Sequence, residues 1–333
     1  MDLGMIIEWS VKALVIILTL TAGFAYTTLY ERKLLARMQV RIGPNRAGPA
    51  GLLQPIADAV KLIFKEELIP AKADRFIFIL APIITVIPAL IITAVVPWGR
   101  SITLFGREIP LYLADVNVGV LYIMAITSIS VYGITLAGWS SNNKYATLGG
   151  VRATAQMISY ELALGFAMIA PVMMASSMRM IDIVEGQKTM WYAVLQPVAF
   201  VIYFAASLAE INRAPFDMPE AEQELVAGYH TEYSSMKFAT FFMAEYIKMI
   251  AIAMIGSSLF LGGYLGPFVD QVPILGPIYL AIKVVAWLFV TIWIRATLPR
   301  IRYDRLMQLG WKVLFPVALL NVLVTAIVVV LIG

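Results

Sequence analysis

Six ionisable residues fall inside or at the edges of long apolar runs: Glu31, Glu161, Glu210, Glu245, Lys248 and Lys283. A charged side chain in the middle of a membrane-crossing helix costs about 2.5–3.5 kcal/mol on insertion scales, so such residues mark a functional pathway by default. Acids that are both desolvated and close to one another titrate nearer neutral pH than isolated ones, which suits proton uptake and release. A second concentration of acids follows Glu210, in the segment EINRAPFDMPEAEQELVAGYHTE. Asp217 and Glu220 have capping-box spacing with Pro219 between them, which predicts a short helix. On that helix Glu220 and Glu224 share a face and Glu222 points elsewhere. Two readings of the segment stand side by side. It is a solvated acidic loop, or its carboxylates fold inward around Arg213, which the apolar flanks favour. Glu245 and Lys248 lie three apart on one helical face and could simply pair with each other, whereas Glu161 has no cation at i±3 or i±4.

The elements that hold these groups follow from composition. The chain has 333 residues, 61% hydrophobic and 14% charged, with a mean hydropathy of +0.84. Soluble domains are nearer 45–50% apolar and ~25% charged, so a water-soluble enzyme and a disordered protein are both excluded. Cysteine is absent and His230 is the single histidine. Thiolate-ligated zinc, Cys-ligated iron–sulfur clusters and bis-histidine haem are therefore excluded too. If the protein takes part in redox chemistry, another chain must bring the electrons. Spanning helices need about 20 mostly apolar residues. Eight such stretches read as roughly 5–29, 76–97, 116–138, 156–178, 191–210, 237–261, 278–298 and 311–332. The first is too long and too weakly basic at its start for a cleaved signal peptide and is kept as a span. The expectation is an all-α integral membrane protein forming one polytopic domain over residues 1–333.

Loop cations orient it. The loop after the first span holds Arg32, Lys33, Arg37, Arg41, Arg46, Lys61, Lys65, Lys72 and Arg75. Lys144 and Arg152 follow the third span, and Arg300, Arg302 and Arg305 follow the seventh. The opposite loops hold only Arg100, Arg107, Arg179 and Lys188. The odd-numbered loops are thus expected in the cytoplasm, with both termini on the other side. Within the first cytoplasmic loop (30–75) a Gly/Pro-rich turn region precedes an amphipathic stretch at about 52–66. Leu52, Leu53, Ile56, Ala57, Val60 and Ile63 form its apolar face, and Asp58, Lys61 and Lys65 face away. This helix lies at the membrane surface, packs on its own bundle, or does both. The acidic cytoplasmic loop covers 210–236. Before any family is considered, a secondary transporter for a cationic solute and a structural anchor remain alternatives to proton uptake, although no convincing internal repeat of the transporter kind is present.

ERKLLARMQVRIGPNRAGPAGLLQPIADAVKLIFKE (Glu31–Glu66) resembles the signature of the H-type membrane subunit of proton-translocating NADH:quinone oxidoreductase, respiratory complex I, and of mitochondrial NADH dehydrogenase subunit one. The acidic loop resembles the second signature of that family. GWSSNNKYATLGGVRATAQMISYELALG, MAEYIKM and WIRATLPRIRYD extend the similarity across most of the chain. The resemblance implies a subunit at the junction of the membrane and peripheral arms, walling a quinone chamber together with peripheral subunits that carry the terminal iron–sulfur cluster. It implies a multi-pass protein of the bacterial inner membrane, contacting lipid, quinone and antiporter-like subunits, with no nucleic-acid partner. NADH, FMN and iron–sulfur clusters would sit in partners, with no metal or flavin in this chain. Carried residue by residue, it assigns proton relay to Glu31, Glu161, Glu210, Glu220, Glu222, Glu224 and Glu245. It assigns the chamber and its charge partners to Arg32, Arg41, Arg152, Arg213 and Arg295. For Arg32, Arg37 and Arg41, anchoring by the positive-inside rule is an equal reading. Some relatives carry a third-span glutamate just before the VYG at Val131–Gly133; here Ser128, Ile129 and Ser130 stand there, so that relay step has no counterpart. Membrane subunits of energy-converting hydrogenases share parts of the pattern and give the alternative of ion coupling without quinone.

Overall fold

The computed structural model describes residues 3–104, 107–217 and 226–332. The described chain is helical: α1 (Leu3–Met38), α2 (Gln54–Ile63), α3 (Arg75–Ile91), α4 (Gly119–Ser140), α5 (Lys144–Ala175), α6 (Met180–Glu185), α7 (Tyr192–Leu195), α8 (Pro197–Glu210), α9 (Ser235–Phe260), α10 (Leu275–Thr297), α11 (Tyr303–Gln308) and α12 (Phe315–Ile332). A hairpin of two four-residue strands, β1 (Ser101–Leu104) and β2 (Arg107–Pro110), pairs Ser101 with Pro110 and was not foreseen from the sequence. Among the described residues, seven helices are long and apolar enough to cross a membrane; α11 and α12 form one of them through a π-helical turn at Leu309–Leu314.

The fifth expected span, 191–210, departs from a single rod. Gln196 is non-helical (φ −128°, ψ 59°), and Pro197 starts a new helix because it has no N–H to continue the old one. The resulting α8 has 14 residues. At 1.5 Å per residue it is about 21 Å long, short of the ~30 Å hydrocarbon core. The break is held from α12, where Asn321 Nδ2 and Thr325 Oγ1 each donate to Gln196 Oε1 at 3.2 Å. The break sets where Glu210, the last residue of α8, lies in the bundle.

Helix α9 is the centre of the bundle. Every residue from Tyr246 to Phe260 is buried, on all faces of the helix, as expected for a helix enclosed by others. Helix α1 is peripheral and turns only a narrow stripe inward, including Leu20, Thr27 and Glu31. Its 36 residues extend about 54 Å, so its C-terminal part, with Glu31 and the following basic residues, projects beyond one hydrocarbon thickness. Close approaches bring the other elements in. A Cβ at Gly149 would sit 2.8 Å from the Gly228 backbone, so α5 packs directly on the short turn Gly228–His230 that ends the acidic loop. Tyr160 of α5 donates to the Leu306 carbonyl at 2.9 Å and locks the C-terminal hairpin of helices onto the core.

Helix α2 is shorter than the stretch read from the sequence, ten residues with none buried. Leu52, Leu53, Ile56, Val60 and Ile63 are exposed. Asp58 instead faces α1 and accepts from Arg32 at 2.7 Å. The apolar stripe is therefore turned away from the bundle rather than packed upon it.

On the side opposite the basic loops, Arg100, Arg179 and Lys188 are neutralised locally. Arg100 grips Glu185 with two bonds of 2.8 Å and also contacts Asp270, while Tyr264 donates to Glu185 at 2.6 Å and Lys188 contacts it. Arg179 pairs with Asp115. Burial alone would raise the Glu185 pKa, but hydrogen bonds from Arg100, Lys188 and Tyr264 hold it at about 2. Its folded value lies below its ordinary 4.5, so the contribution to stability is complete above that value and is lost as pH falls from 4.5 toward 2. Replacing Glu185 by Gln is expected to lower the melting temperature at neutral pH and to flatten its fall in that acid window. Parallel melting curves of wild type and variant across the window would contradict this.

Candidate functional site

Three helices and one loop converge on a buried charge cluster. Glu31 on α1 is 3% exposed and accepts from Arg213 Nη1 at 3.0 and 3.1 Å, from the Tyr246 hydroxyl at 2.8 Å, and from Arg295 at the end of α10. Arg213, in the loop after α8, also pairs with Glu245 of α9 and lies over the Tyr246 ring, 4.4 Å from its centre. Two acids thus face two arginines, and a carboxylate's lone pairs match the fork of a guanidinium. Burial works against charge on Arg213, but the Glu245 and Glu31 carboxylates outweigh it and hold its pKa well above the usual arginine value. The loop that carries Arg213 is fixed from α5: Gln156 Nε2 lies 2.9, 3.1 and 2.8 Å from Ala209 O, Asn212 Oδ1 and Phe216 O.

A second group lies beside it. Glu210 is 1% exposed and binds Lys248 Nζ at 2.7 Å; the same ammonium donates to Ser130 of α4 at 3.1 Å. The expected pairing of Glu245 with Lys248 does not form. One helical turn, on a helix surrounded on all sides, points Glu245 at Arg213 and Lys248 at Glu210. The remaining carboxylate oxygen of Glu210 is buried without a hydrogen-bond partner. A cavity of about 30 Å³, lined by Thr85, Ser130, Glu210, Asn212, Glu245 and Lys248 among others, joins the two groups and is large enough for a water. Glu161 of α5, half-buried, is hydrogen-bonded by Ser128 of α4, so the two serines at the third-span departure both bind ionisable side chains of other helices.

Other sequence candidates are more dispersed. Arg32 is bound to Asp58, Arg41 donates to Gln39 at 2.7 Å in an exposed turn, and Arg152 lies over the Tyr303 ring at 5.9 Å. Glu220, Glu222 and Glu224, with the helix expected at Pro219, lie outside the described residues. Asp217, just before them, pairs with Arg300 at 3.1 Å. Burial raises its pKa, and Arg300 partly offsets the rise. Tyr246 and Gln156 were missed from the sequence. Tyr246 offered a signal, since it stands beside Glu245 in an otherwise apolar segment, and so did Gln156, a buried amide five residues before Glu161. A larger apolar cavity of about 440 Å³ opens between α1, α2 and α9, lined by Phe24, Ala25, Asp58, Leu62, Met243 and others, with Arg32 at its edge.

Removing Arg213 leaves Glu31 and Glu245 facing Arg295 alone. Breaking a buried pair in this way costs about 3–5 kcal/mol, more than any exposed ion pair contributes. Arg213→Met is therefore expected to lower thermal stability sharply, and combining it with Glu245→Gln to recover a substantial part of the loss. Strictly additive destabilisation in that double-mutant cycle would count against shared ownership of Arg213.

Comparison with known proteins identifies the family. A family described as NADH dehydrogenase matches residues 11–326. The second of the H-type subunits of NADH-quinone oxidoreductase in Geobacter metallireducens is 53% identical over 330 residues, covering 96% of this chain and 94% of the relative. The H-type subunit of Thermomicrobium roseum is 49% identical over 338 residues, with 98% of each chain covered, and that of Protochlamydia amoebophila is 50% identical over 302 residues, with 91% of each covered. Near-complete coverage at half identity leaves no room for a different fold or a partial match: the chain belongs to the family of H-type membrane subunits of NADH-quinone oxidoreductase.

Proposed function

We propose that this chain walls the quinone chamber of a proton-translocating NADH:quinone oxidoreductase and passes the consequence of quinone reduction into the membrane through its buried carboxylates. The observation that carries this reading is the neutral four-residue cluster of Glu31, Glu245, Arg213 and Arg295, set beside an apolar cavity of about 440 Å³. Phe24 lines that cavity and packs on Tyr246 at 5.9 Å, and Tyr246 bonds Glu31. A long apolar quinone lying between α1, α2 and α9 would thus be coupled to the cluster through one ring contact. Iron–sulfur clusters, FMN and the NADH site belong to partner chains in this reading. The quinone supplies two-electron redox chemistry when bound. This chain supplies a fixed field and proton sites.

When charge develops on the reduced headgroup, Arg213 and Arg295 are drawn toward it, because a guanidinium stays charged at all relevant pH. Any weakening of their hold on Glu31 and Glu245 leaves desolvated carboxylates that favour a proton. The proton route then runs from the acidic loop, including Glu220, Glu222 and Glu224, past Glu245 and Glu210 to Glu161 and on to antiporter-like subunits. Arg32, Arg41 and Arg152 hold the surface around the chamber mouth and the partner interface.

The membrane arrangement belongs to the same proposal. Helices α7 and α8 together complete an eighth crossing, α2 lies in the membrane interface on its exposed apolar stripe, and both termini face away from the cytoplasm. A bacterial inner membrane with the basic loops inside fits the local neutralisation of Arg100, Arg179 and Lys188 on the other face. The relatives' names favour quinone over the hydrogenase-type alternative. The test is proton translocation by the assembled complex in proteoliposomes. Glu161→Gln is expected to assemble, to retain electron transfer to ferricyanide and to pump fewer protons per quinone reduced. Normal assembly with an unchanged pumping ratio would remove Glu161 from the relay.

A further inference from the structure

Lys248 is an ammonium in the most enclosed helix of the bundle, with one acid and one hydroxyl in reach. Its Nζ lies 2.7 Å from Glu210 Oε1 and 3.1 Å from Ser130 Oγ, and the lysine is 9% exposed. Three helices meet there: α9 brings the cation, α8 ends at the acid and α4 contributes the hydroxyl. The partition of charge around it is unequal in a way that matters. Glu31 and Glu245 are served by Arg213 and Arg295, whose guanidinium groups come from a loop and a helix end. Glu210 is served by Lys248, held within the bundle, and its second oxygen is buried without a hydrogen-bond partner at the wall of the small cavity shared with Glu245. The structure therefore separates a source of countercharge at the chamber from one fixed in the bundle, with a water-sized space between them.

Resting on the proposed coupling role, we propose that Lys248 is a positioning residue for proton transfer: it holds Glu210 as the resident anion of the membrane interior, with one oxygen bonded and the other offered to the cavity. A proton crossing from Glu245 lands on that free oxygen of Glu210. The carboxylate becomes a carboxylic acid and the Lys248 ammonium loses its countercharge. The uncompensated cation, still tethered to Ser130, then favours loss of the same proton to the next acceptor. No atom is gained or lost over the cycle, and the lysine keeps its own protons throughout. A guanidinium shared with the chamber could not serve this purpose, since it would move with the quinone charge. The device needs a cation whose position is independent of the chamber.

The test uses the assembled complex in proteoliposomes, reading protons moved per quinone reduced alongside inhibitor-sensitive quinone reduction. Lys248→Met is expected to lower the pumping ratio at least twofold, and Lys248→Arg to restore most of it, which a merely structural defect would not show. Since the methionine variant leaves Glu210 buried without its cation, the neutral pair Lys248→Met with Glu210→Gln is made beside it. That pair is expected to assemble, because both charges leave together, and to pump poorly. Failure of the neutral pair to assemble, or a wild-type ratio from it or from Lys248→Met, overturns the proposal. Glu210→Gln alone separates the role of the carboxylates from that of the lysine. If it pumps normally, the coupling role of these carboxylates fails; if it pumps poorly while Lys248→Met pumps normally, only the role of Lys248 fails.

Discussion

Arg213 is shared between Glu31 and Glu245, and much of the bundle is arranged to make that sharing possible. A guanidinium 5% exposed to solvent is tolerable only when its charge is matched and its donors are used. Matching it requires α1 to run far enough to place Glu31, and α9 to turn Glu245 toward the loop after α8. It requires a loop after α8 that Gln156 pins from α5, and Arg295 reaching in from the end of α10. Any one of these elements displaced would leave a bare charge in a medium that penalises it heavily. The cluster is thus a constraint on the relative position of four parts of the chain, and it sits where the apolar cavity between α1, α2 and α9 meets the bundle.

That geometry gives the acids distinct partners. Glu31 and Glu245 are paired with the arginines of the cluster, while Glu210 is paired with a lysine inside the helix bundle. Glu161 is hydrogen-bonded by a serine hydroxyl of α4. The order from shared arginine to fixed lysine to hydroxyl is a gradient of decreasing local compensation. The proposed function uses this gradient to carry the consequence of quinone reduction into the membrane.

Much of this was legible in the sequence because the bilayer makes charge conspicuous. Glu161, Glu210, Glu245 and Lys248 stand out against apolar neighbours, and the basic loops distinguish two faces. The pairing among them was not legible. Glu245 and Lys248 have the spacing of an i, i+3 pair, yet each is claimed by a partner from another element, Arg213 at the end of a loop and Glu210 on α8. Sequence spacing describes one helix, whereas a helix buried on every side chooses partners by what surrounds it. The interruption at Gln196–Pro197 was missed for a related reason: the run 191–210 has the composition of a span, and the proline inside it lies where a new helix can begin. The direction in which the apolar residues of α2 point was not legible, because Asp58 is bound to Arg32 of α1.

Coupling through these acids requires that the protonation of the buried carboxylates change when quinone is reduced. Infrared difference spectroscopy of the assembled complex, recorded as quinone is converted to quinol, reads this directly. The expected spectrum contains a carboxylic-acid carbonyl band that appears or shifts with reduction, moves in deuterium oxide and is lost or displaced in Glu245→Gln. A reduction spectrum with no carboxyl band, or one unchanged in that variant, would contradict it.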